Sequence, residues 1–161
     1  MGEETKRKCI AVVRIRGTVS ASMQARETLA MLHLPRNNYA ALIDDRPEFQ
    51  GMLKTARDYV TYGRPSKETV ALMIKKKGRL VGDKELSDDY AQKSGFKSLD
   101  DLIEAIYTGR AEYWKLKTIQ PIFRLHPPSK GFKGKIKRHY GAGGELGDRK
   151  EKIDELLKRM L

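Results

Sequence analysis

Short apolar runs alternate with helical stripes near the start of the chain, and this alternation constrains the fold more than any other feature. The first run, CIAVVRIR at residues 9–16, is rich in β-branched side chains and predicts a strand. Arg14 and Arg16 are expected to alternate outward near its end. YAALID at residues 39–44 predicts a second strand, and residues 60–62 predict a short third one. With helices between them, the order β-α-β-α-β indicates an α+β unit.

The two intervening helices carry recognisable start signals. Ser20 or Ser22 can cap the first helix, which runs to about Leu32. Asp45 and Glu48 have the spacing of a capping box for the second. Four further helices are predicted at residues 67–77, 87–93, 98–109 and 148–160. Ser66, Ser98 and Asp148 are the predicted caps of the first, third and fourth of these.

Residues 113–144 contain no Asp or Glu and eight Lys or Arg residues. A run this basic repels itself and needs an anionic partner. Aromatic side chains lie between the cations and offer faces on which nucleic-acid bases can stack: Trp114, Phe123, Phe132 and Tyr140. The alternative is a solvated charged loop beside ordinary core aromatics. The Gly and Pro content favours a loop fitted to nucleic acid.

The candidate RNA-binding residues are therefore cations and histidines of this stretch and of the first strand. They are Arg14, Arg16, Arg124, His126, Lys130, Lys133, Lys135, Lys137, Arg138 and His139. Pro127 and Pro128 disfavour helix before them, so the segment from residue 123 to 128 is expected to be extended. Arg124 and His126 then share one face, and Phe123 lies on the other.

Composition narrows the class of protein. The net charge is +12, and the chain from residue 113 onward carries thirteen Lys or Arg against five Asp or Glu. This imbalance points to an anionic polymer as partner. Cys9 is the single cysteine, which excludes an intrachain disulfide and a CxxC metal site and fits a reducing cytoplasm. No apolar run approaches the length of a membrane span, and the first residues do not resemble a signal peptide.

Catalytic and metal-binding groups form no recognisable pattern. Acid pairs such as Asp100 and Asp101 are adjacent in sequence and do not face each other on a helix. The three histidines lack the spacing of zinc ligands. The glycines of residues 140–147 have the wrong spacing for a dinucleotide-binding loop. The sequence predicts no catalytic residues, no metal, no cofactor and no small-molecule substrate.

Several stretches together resemble one protein family. They are RIRG at the end of the first strand, FQGMLKTARDYVTYG and the following GRPSKETV within residues 49–70, RLHPPSKGFKG at residues 124–134, and GGELG at residues 143–147. The family is the universal large-subunit ribosomal protein called L thirty, in its archaeal form, which is related to the eukaryotic L seven protein. The resemblance covers essentially the whole chain.

This resemblance implies a ferredoxin-like β-α-β-α-β core with a small antiparallel sheet at residues 9–62. It also implies an archaeal-type extension at residues 63–161, with helices, a basic RNA-binding loop at residues 113–144 and the C-terminal helix. Residues 1–8 are expected to form a flexible tail. Within the loop the family pattern matches Arg124, His126, Pro127, Pro128 and Gly131, whereas the roles of residues 133–138 rest on their charge alone.

The activity implied by the resemblance is structural. Such a protein binds large-subunit ribosomal RNA close to the 5S RNA, beside neighbouring ribosomal proteins in the cytoplasmic ribosome, and supports subunit assembly and translation. Two other classes stay open. One is an RNA-binding regulator outside the ribosome, and the other is an enzyme on a ferredoxin-like scaffold, because fold alone does not fix function.

Overall fold

The computed structural model describes residues 8–17, 19 and 21–161. Within these residues the strands are β1 Cys9–Arg14, β2 Tyr39–Asp44, β3 Val60–Gly63, β4 Phe123–Arg124, β5 Lys135–His139 and β6 Gly144–Asp148. The α-helices are α1 Met23–Met31, α2 Pro47–Ala56, α3 Lys67–Lys77, α4 Asp88–Lys93, α5 Leu99–Thr108 and α6 Ile153–Met160. Apart from Lys8, the predicted N-terminal tail lies outside the described residues.

The strands form one sheet in the order β4-β2-β1-β3-β6-β5. β1 is antiparallel to both β2 and β3, so the predicted β-α-β-α-β core with its small antiparallel sheet is confirmed. The sheet then continues outward on both sides. β4 pairs antiparallel with β2, while β6 pairs parallel with β3 and β5 parallel with β6. Strands from both predicted segments share this sheet, and the boundary at residue 62 stays a prediction about folding units.

The central strand explains why the fold has three layers. Every residue of β1 is buried. Its Ile10 and Val12 pack with apolar side chains of α1 and α2 on one face, and Ala11 and Val13 pack with those of α3, α5 and α6 on the other. A strand covered on both faces reads as a continuous apolar run. The CIAVV sequence therefore fits the middle of this sheet.

Most helix starts follow the predicted caps. The side chains of Ser22, Ser66 and Ser98 accept hydrogen bonds from backbone amides of the first turns of α1, α3 and α5. The alternative cap Ser20 lies outside the described residues. The capping box predicted at Asp45 is wrong, because α2 begins after Arg46 with no side-chain cap. Pro47 forces the residue before it into an extended conformation, which sets the helix start one residue later.

The C-terminal part of the predicted basic loop is more regular than expected. It contains β5, and it is followed by β6, in which Gly144, Glu145, Leu146 and Gly147 are buried. Treating residues 135–144 as part of a loop was wrong, because the apolar signal of these strands is weak while their backbones complete the sheet. The final helix also begins later than predicted, after a 3₁₀ turn at Lys150–Lys152.

Candidate nucleic-acid interface

Strand β4 forms one edge of the sheet and carries the first candidate residues. Phe123 is fully buried and Leu125 nearly so, while Arg124 and His126 are exposed. This confirms the predicted alternation, in which the apolar side chains pack on the body and the polar ones face solvent. The backbone amide of Leu125 donates to the carbonyl of Asn38, which holds the extended segment against the sheet.

The exposed side chains of this edge have weak or shared partners. Nη1 of Arg124 lies 3.9 Å from Oδ1 of Asp83, and both side chains are more than half exposed. Such a pair contributes little to stability. Nε2 of His126 lies 3.0 Å from Nζ of Lys77. Because an ammonium only donates, the imidazole nitrogen is the acceptor in this contact. Lys77 is a further cation of this edge that the sequence analysis did not single out.

The turn that follows β4 is attached to the end of α6. The amide of Ser129 donates to the carbonyl of Arg159 over 2.9 Å, and the Arg159 guanidinium donates back to the carbonyls of Ser129 and Gly131. These bonds use a carbonyl that a helix end leaves without an intrahelical donor. Lys130 lies in this turn with a positive φ of 65° and an exposed side chain. It is therefore presented from a fixed backbone.

Strand β5 forms the opposite edge of the sheet and is the most basic element of the fold. All five of its residues are exposed. It carries Lys135, Lys137 and Arg138, and Lys133 precedes it. Among the described residues, none of these four cations has an ion-pair or hydrogen-bond partner for its side chain. Unpaired cations on an ordered strand are available to phosphate oxygens, which form charge-assisted bonds with them.

The end of β5 has partners on the body of the protein. Nε2 of His139 lies 3.4 Å from Oδ1 of Asp58, and both side chains are about half exposed. The guanidinium of Arg149 lies 5.0 Å from the ring centroid of Tyr140, and that residue is 40% exposed. His139 is thus shared between a carboxylate and solvent. Tyr140 is the aromatic side chain of this edge that remains available for stacking.

The other aromatic side chains proposed for base stacking belong mainly to the protein interior. Phe123 stacks on Tyr113 with ring centroids 4.9 Å apart. Trp114 meets Phe49 edge to face at 5.0 Å. Phe132 is partly buried against the larger core cluster. For these three residues, core packing is the better interpretation of the pattern.

Arg14 requires a correction. Its side chain was expected to point outward, but the residue is only 5% exposed. Nη1 donates to the carbonyl of Leu34 over 2.8 Å, and Nε donates to the carbonyl of Arg16 over 3.0 Å. Burial lowers the pKa of the guanidinium. Alternate residues of a strand face opposite sides of the sheet, but β1 is covered on both sides, so neither set points to solvent.

Arg16 lies just beyond β1 and is partly exposed. Its Nη1 donates to the carbonyl of Asp58 over 2.9 Å, and its guanidinium lies 5.3 Å from the ring centroid of Tyr59. These contacts hold the guanidinium on the body of the protein, and the residue stays partly exposed. Asp58 also contacts His139, so Arg16 lies near the β5 side of the molecule.

The structure does not bring all candidate residues to one place. Arg124 and His126 belong to the β4 edge, while residues 133–139 belong to the β5 edge. Five strand spacings separate the edges, which is about 24 Å at the usual interstrand distance. An anionic partner that contacts both edges must therefore span the width of the sheet.

Sequence analysis missed a buried ion pair between Glu145 and Arg149, whose side chains are 5% and 6% exposed. Nε of Arg149 donates to Oγ1 of Thr61 over 2.7 Å. Burial alone would raise the pKa of the Glu145 carboxyl, but hydrogen bonds from Arg149 and from the amide of Gly134 hold that pKa below its ordinary value. The i,i+4 spacing of Glu145 and Arg149 is the one available signal, and it is uninformative outside a helix.

A small cleft lies between α2 and the ends of β3 and β6. Its volume is about 220 Å³, and its polar lining includes Asp45, Lys54, Tyr62, Arg64 and Asp148. Burial and the nearby Asp148 raise the pKa of the Tyr62 phenol. The volume falls below the usual range of ligand sites. In the described part of the chain, no group of three or more His, Cys, Asp or Glu side chains is placed to hold a metal ion.

Within the same residues, no helix combines the length and apolar character needed to cross a lipid bilayer.

Comparison with known proteins gives concordant results. The sequence model of the family described as ribosomal protein L30p/L7e matches residues 10–60. The chain is 42% identical to the large ribosomal subunit protein uL30 of Archaeoglobus fulgidus over 151 residues, which cover 93% of this chain and 98% of the relative. It is 40% identical to uL30 of Thermofilum pendens, with 93% and 97% covered. It is 41% identical to uL30 of Methanococcus vannielii, with 94% and 98% covered.

Proposed function

Because this chain belongs to the ribosomal protein L30p/L7e family, we propose that it is a structural constituent of the large ribosomal subunit, where it binds ribosomal RNA and supports subunit assembly and translation. The observation that carries this proposal is the similarity to named large-subunit proteins over almost the whole chain. The activity is one of binding and needs neither catalysis nor a cofactor. Its place is the cytoplasmic ribosome.

The β5 edge is the main RNA-binding surface in this proposal. Its support is the set of exposed cations without protein partners, at residues 133, 135, 137 and 138. Lysine and arginine side chains that neutralise phosphates release condensed counterions, which favours binding without any reading of sequence. Tyr140 adds a partly exposed ring on which an unstacked base can pack.

The β4 edge is the second contact. Arg124 would give up only a long contact with Asp83 on binding RNA. His126 lies beside Lys77. The two cations available to a phosphate here, Arg124 and Lys77, come from different elements, β4 and α3. Lys130 lies beyond β4, on the turn fixed by Arg159. Arg14 is not part of the proposed surface because its guanidinium is buried.

The proposed partners are large-subunit ribosomal RNA close to the 5S RNA, and neighbouring ribosomal proteins. The place near the 5S RNA rests on the resemblance to the family rather than on any contact in the fold. A regulator acting on other RNA would use the same cations. The two functions therefore differ in what the protein stays bound to in the cell.

Crosslinking in assembled ribosomes tests the proposal. The tagged protein is expected to sediment with large subunits after a high-salt wash, and sequencing of crosslinked RNA is expected to recover large-subunit segments near the 5S RNA. Replacing Lys135 and Lys137 with Ala should reduce the crosslinks. The matched control replaces Lys93 and Lys97, two exposed lysines on the α4–α5 side, and should leave the crosslinks unchanged. Crosslinks confined to other RNA, without co-sedimentation, would indicate the regulator.

A further inference from the structure

The buried ion pair of Glu145 and Arg149 lies beside the most basic strand of the protein. Removing two charges from water is expensive, and such a pair is weak evidence for added stability on its own. Its remaining hydrogen-bonding groups are nevertheless used. Oε1 of Glu145 accepts from the amide of Gly134 over 2.7 Å, and Nη2 of Arg149 donates to the backbone carbonyl of Glu145 over 2.7 Å.

The same network reaches into the interior of the sheet. Nε of Arg149 donates to Oγ1 of Thr61, and that hydroxyl donates to the carbonyl of Gly147 over 3.0 Å. Thr61 is fully buried on β3, next to the central strand. The ion pair is therefore anchored to the buried interior of the sheet.

Both ends of β5 contact this one ion pair. Gly134, which donates to Glu145, is the residue immediately before the strand. Tyr140, whose ring packs on the Arg149 guanidinium, is the residue immediately after it. The strand itself buries none of its five side chains. Its ladder to β6 is irregular between Lys135 and His139, so the contacts at its two ends add to what holds it in place.

We propose that Glu145 and Arg149 are positioning residues that hold β5 in the geometry in which its cations meet RNA. This inference rests on the proposed function of the β5 edge. Without the pair, Lys135, Lys137 and Arg138 keep their charge but lose their fixed spacing. The cost of ordering the strand is then added to each binding event, which weakens affinity without removing a phosphate contact.

Glu145→Gln tests this in the full chain, because the amide keeps an acceptor for Gly134 and removes the charge opposite Arg149. We expect affinity for a large-subunit ribosomal RNA fragment to fall roughly tenfold. The slope of log affinity against log salt should stay as in the unaltered protein, because the same phosphates are contacted. Lys135→Ala is the contrasting variant, and it should lower the magnitude of that slope by about 0.9.

Hydrogen exchange provides the readout that a general loss of stability would not give. In Glu145→Gln the amides of residues 135–139 should exchange faster, while those of β1 keep their protection. If the variant does not fold, Tyr140→Leu releases the exit of the strand and leaves the ion pair in place. Its readout is exchange alone, because the ring is also a proposed stacking surface, and the amides of residues 135–139 should exchange faster by a smaller factor.

Two outcomes overturn the inference. One is unchanged RNA affinity in a variant whose β5 amides exchange faster, and the other is unchanged exchange at β5 with an altered salt slope. Failure of the unaltered protein to bind large-subunit RNA would instead overturn the proposed function.

Discussion

The guanidinium of Arg124 is exposed to solvent and has a carboxylate partner, that of Asp83. The contact with Asp83 is 3.9 Å long between exposed groups, and such pairs contribute under about 1 kcal/mol. We expect Arg124→Ala to weaken RNA binding by about 1–3 kcal/mol, with little change in melting temperature. Binding titrations and thermal melts of the same preparations measure both.

Asp83→Ala is the matched control for Arg124, since it removes the carboxylate and leaves the guanidinium free. It should leave RNA affinity unchanged or raise it slightly, because Arg124 no longer has a competing partner. A fall in melting temperature for Arg124→Ala, with RNA affinity unchanged after correction for the folded fraction, would mean that Arg124 is a structural residue.

Glu145 gives the protein a stability contribution that depends on pH. Hydrogen bonds from Arg149 and Gly134 overcome the effect of burial and hold the pKa of its carboxyl below the ordinary value. A carboxyl with a depressed pKa in the folded state stabilises above its unfolded pKa of about 4.3, and this contribution is lost as pH falls through the folded pKa. The difference in unfolding free energy between the unaltered protein and Glu145→Gln should therefore be larger at pH 7 than at pH 3.

Denaturant unfolding at the two pH values measures this difference. Glu48→Gln serves as the control, because Glu48 is an exposed acid on α2. Its effect should be small at both pH values. A Glu145→Gln difference of equal size at pH 7 and pH 3 would contradict the assignment of the charged pair.

At the scale of elements, the contact between β5 and β6 depends on Gly144. A Cβ added there would lie 1.9 Å from the carbonyl oxygen of Arg138, which is a backbone atom that cannot rotate away. Gly144→Ala is expected to displace β5 and to destabilise the fold by about 1–3 kcal/mol. RNA affinity should fall as well, because the displaced strand carries the unpaired cations.

Gly141→Ala is the matched control, since a Cβ at that position meets no atom within 4 Å. It should change neither the unfolding free energy nor the RNA affinity beyond a few tenths of a kcal/mol. Equal effects of the two substitutions would show that the close approach of the strands is relieved without displacement of β5.

Elements specified by local sequence were predictable to the residue. The Ser66 cap and the apolar positions after it predicted a helix over residues 67–77, and α3 has these bounds. The second strand, Tyr39–Asp44, was likewise found where predicted. In both cases the apolar period and the flanking cap or turn lie within about a dozen residues. Local propensity and tertiary packing then favour the same structure.

Elements specified by distant partners were not predictable. β6 has the sequence GELGD, in which Leu146 is the one large apolar residue. Its place in the sheet depends on pairing with β3 and on the contact of Arg149 with Thr61, 88 residues away in sequence. The prediction that Arg14 points outward was wrong for a similar reason. Its burial depends on Leu34 and on layers that cover both faces of β1. The basic residues of the site could be predicted from composition, but their division between two edges could not.

For the whole molecule, the arrangement of the cations predicts how binding responds to salt. The four unpaired cations at the β5 edge, with Arg124 and Lys77 at the other, provide six candidate phosphate contacts, and Lys130 and Arg16 raise the number to eight. The slope of log affinity against log salt is then about −5 to −7 for duplex RNA, on the coefficient measured for duplex DNA. Filter binding or fluorescence anisotropy between low and physiological salt measures it. A flat response would contradict an electrostatic interface.

Because the two edges are separated, the contribution of each to the salt dependence can be predicted. Replacing Lys135 and Lys137 with Ala should reduce the magnitude of the slope by about 1.8, and Arg124→Ala should reduce it by about 0.9. Because about 24 Å separates the edges, the combined variant should show the sum of the two effects, since distant sites are usually additive.

Replacing Lys93 and Lys97 removes the same charge as the first pair and should leave the slope unchanged. If that control lowers the slope as much as the β5 pair does, net charge explains the binding. If the combined variant falls short of the sum, the RNA contacts one edge at a time and does not span the sheet.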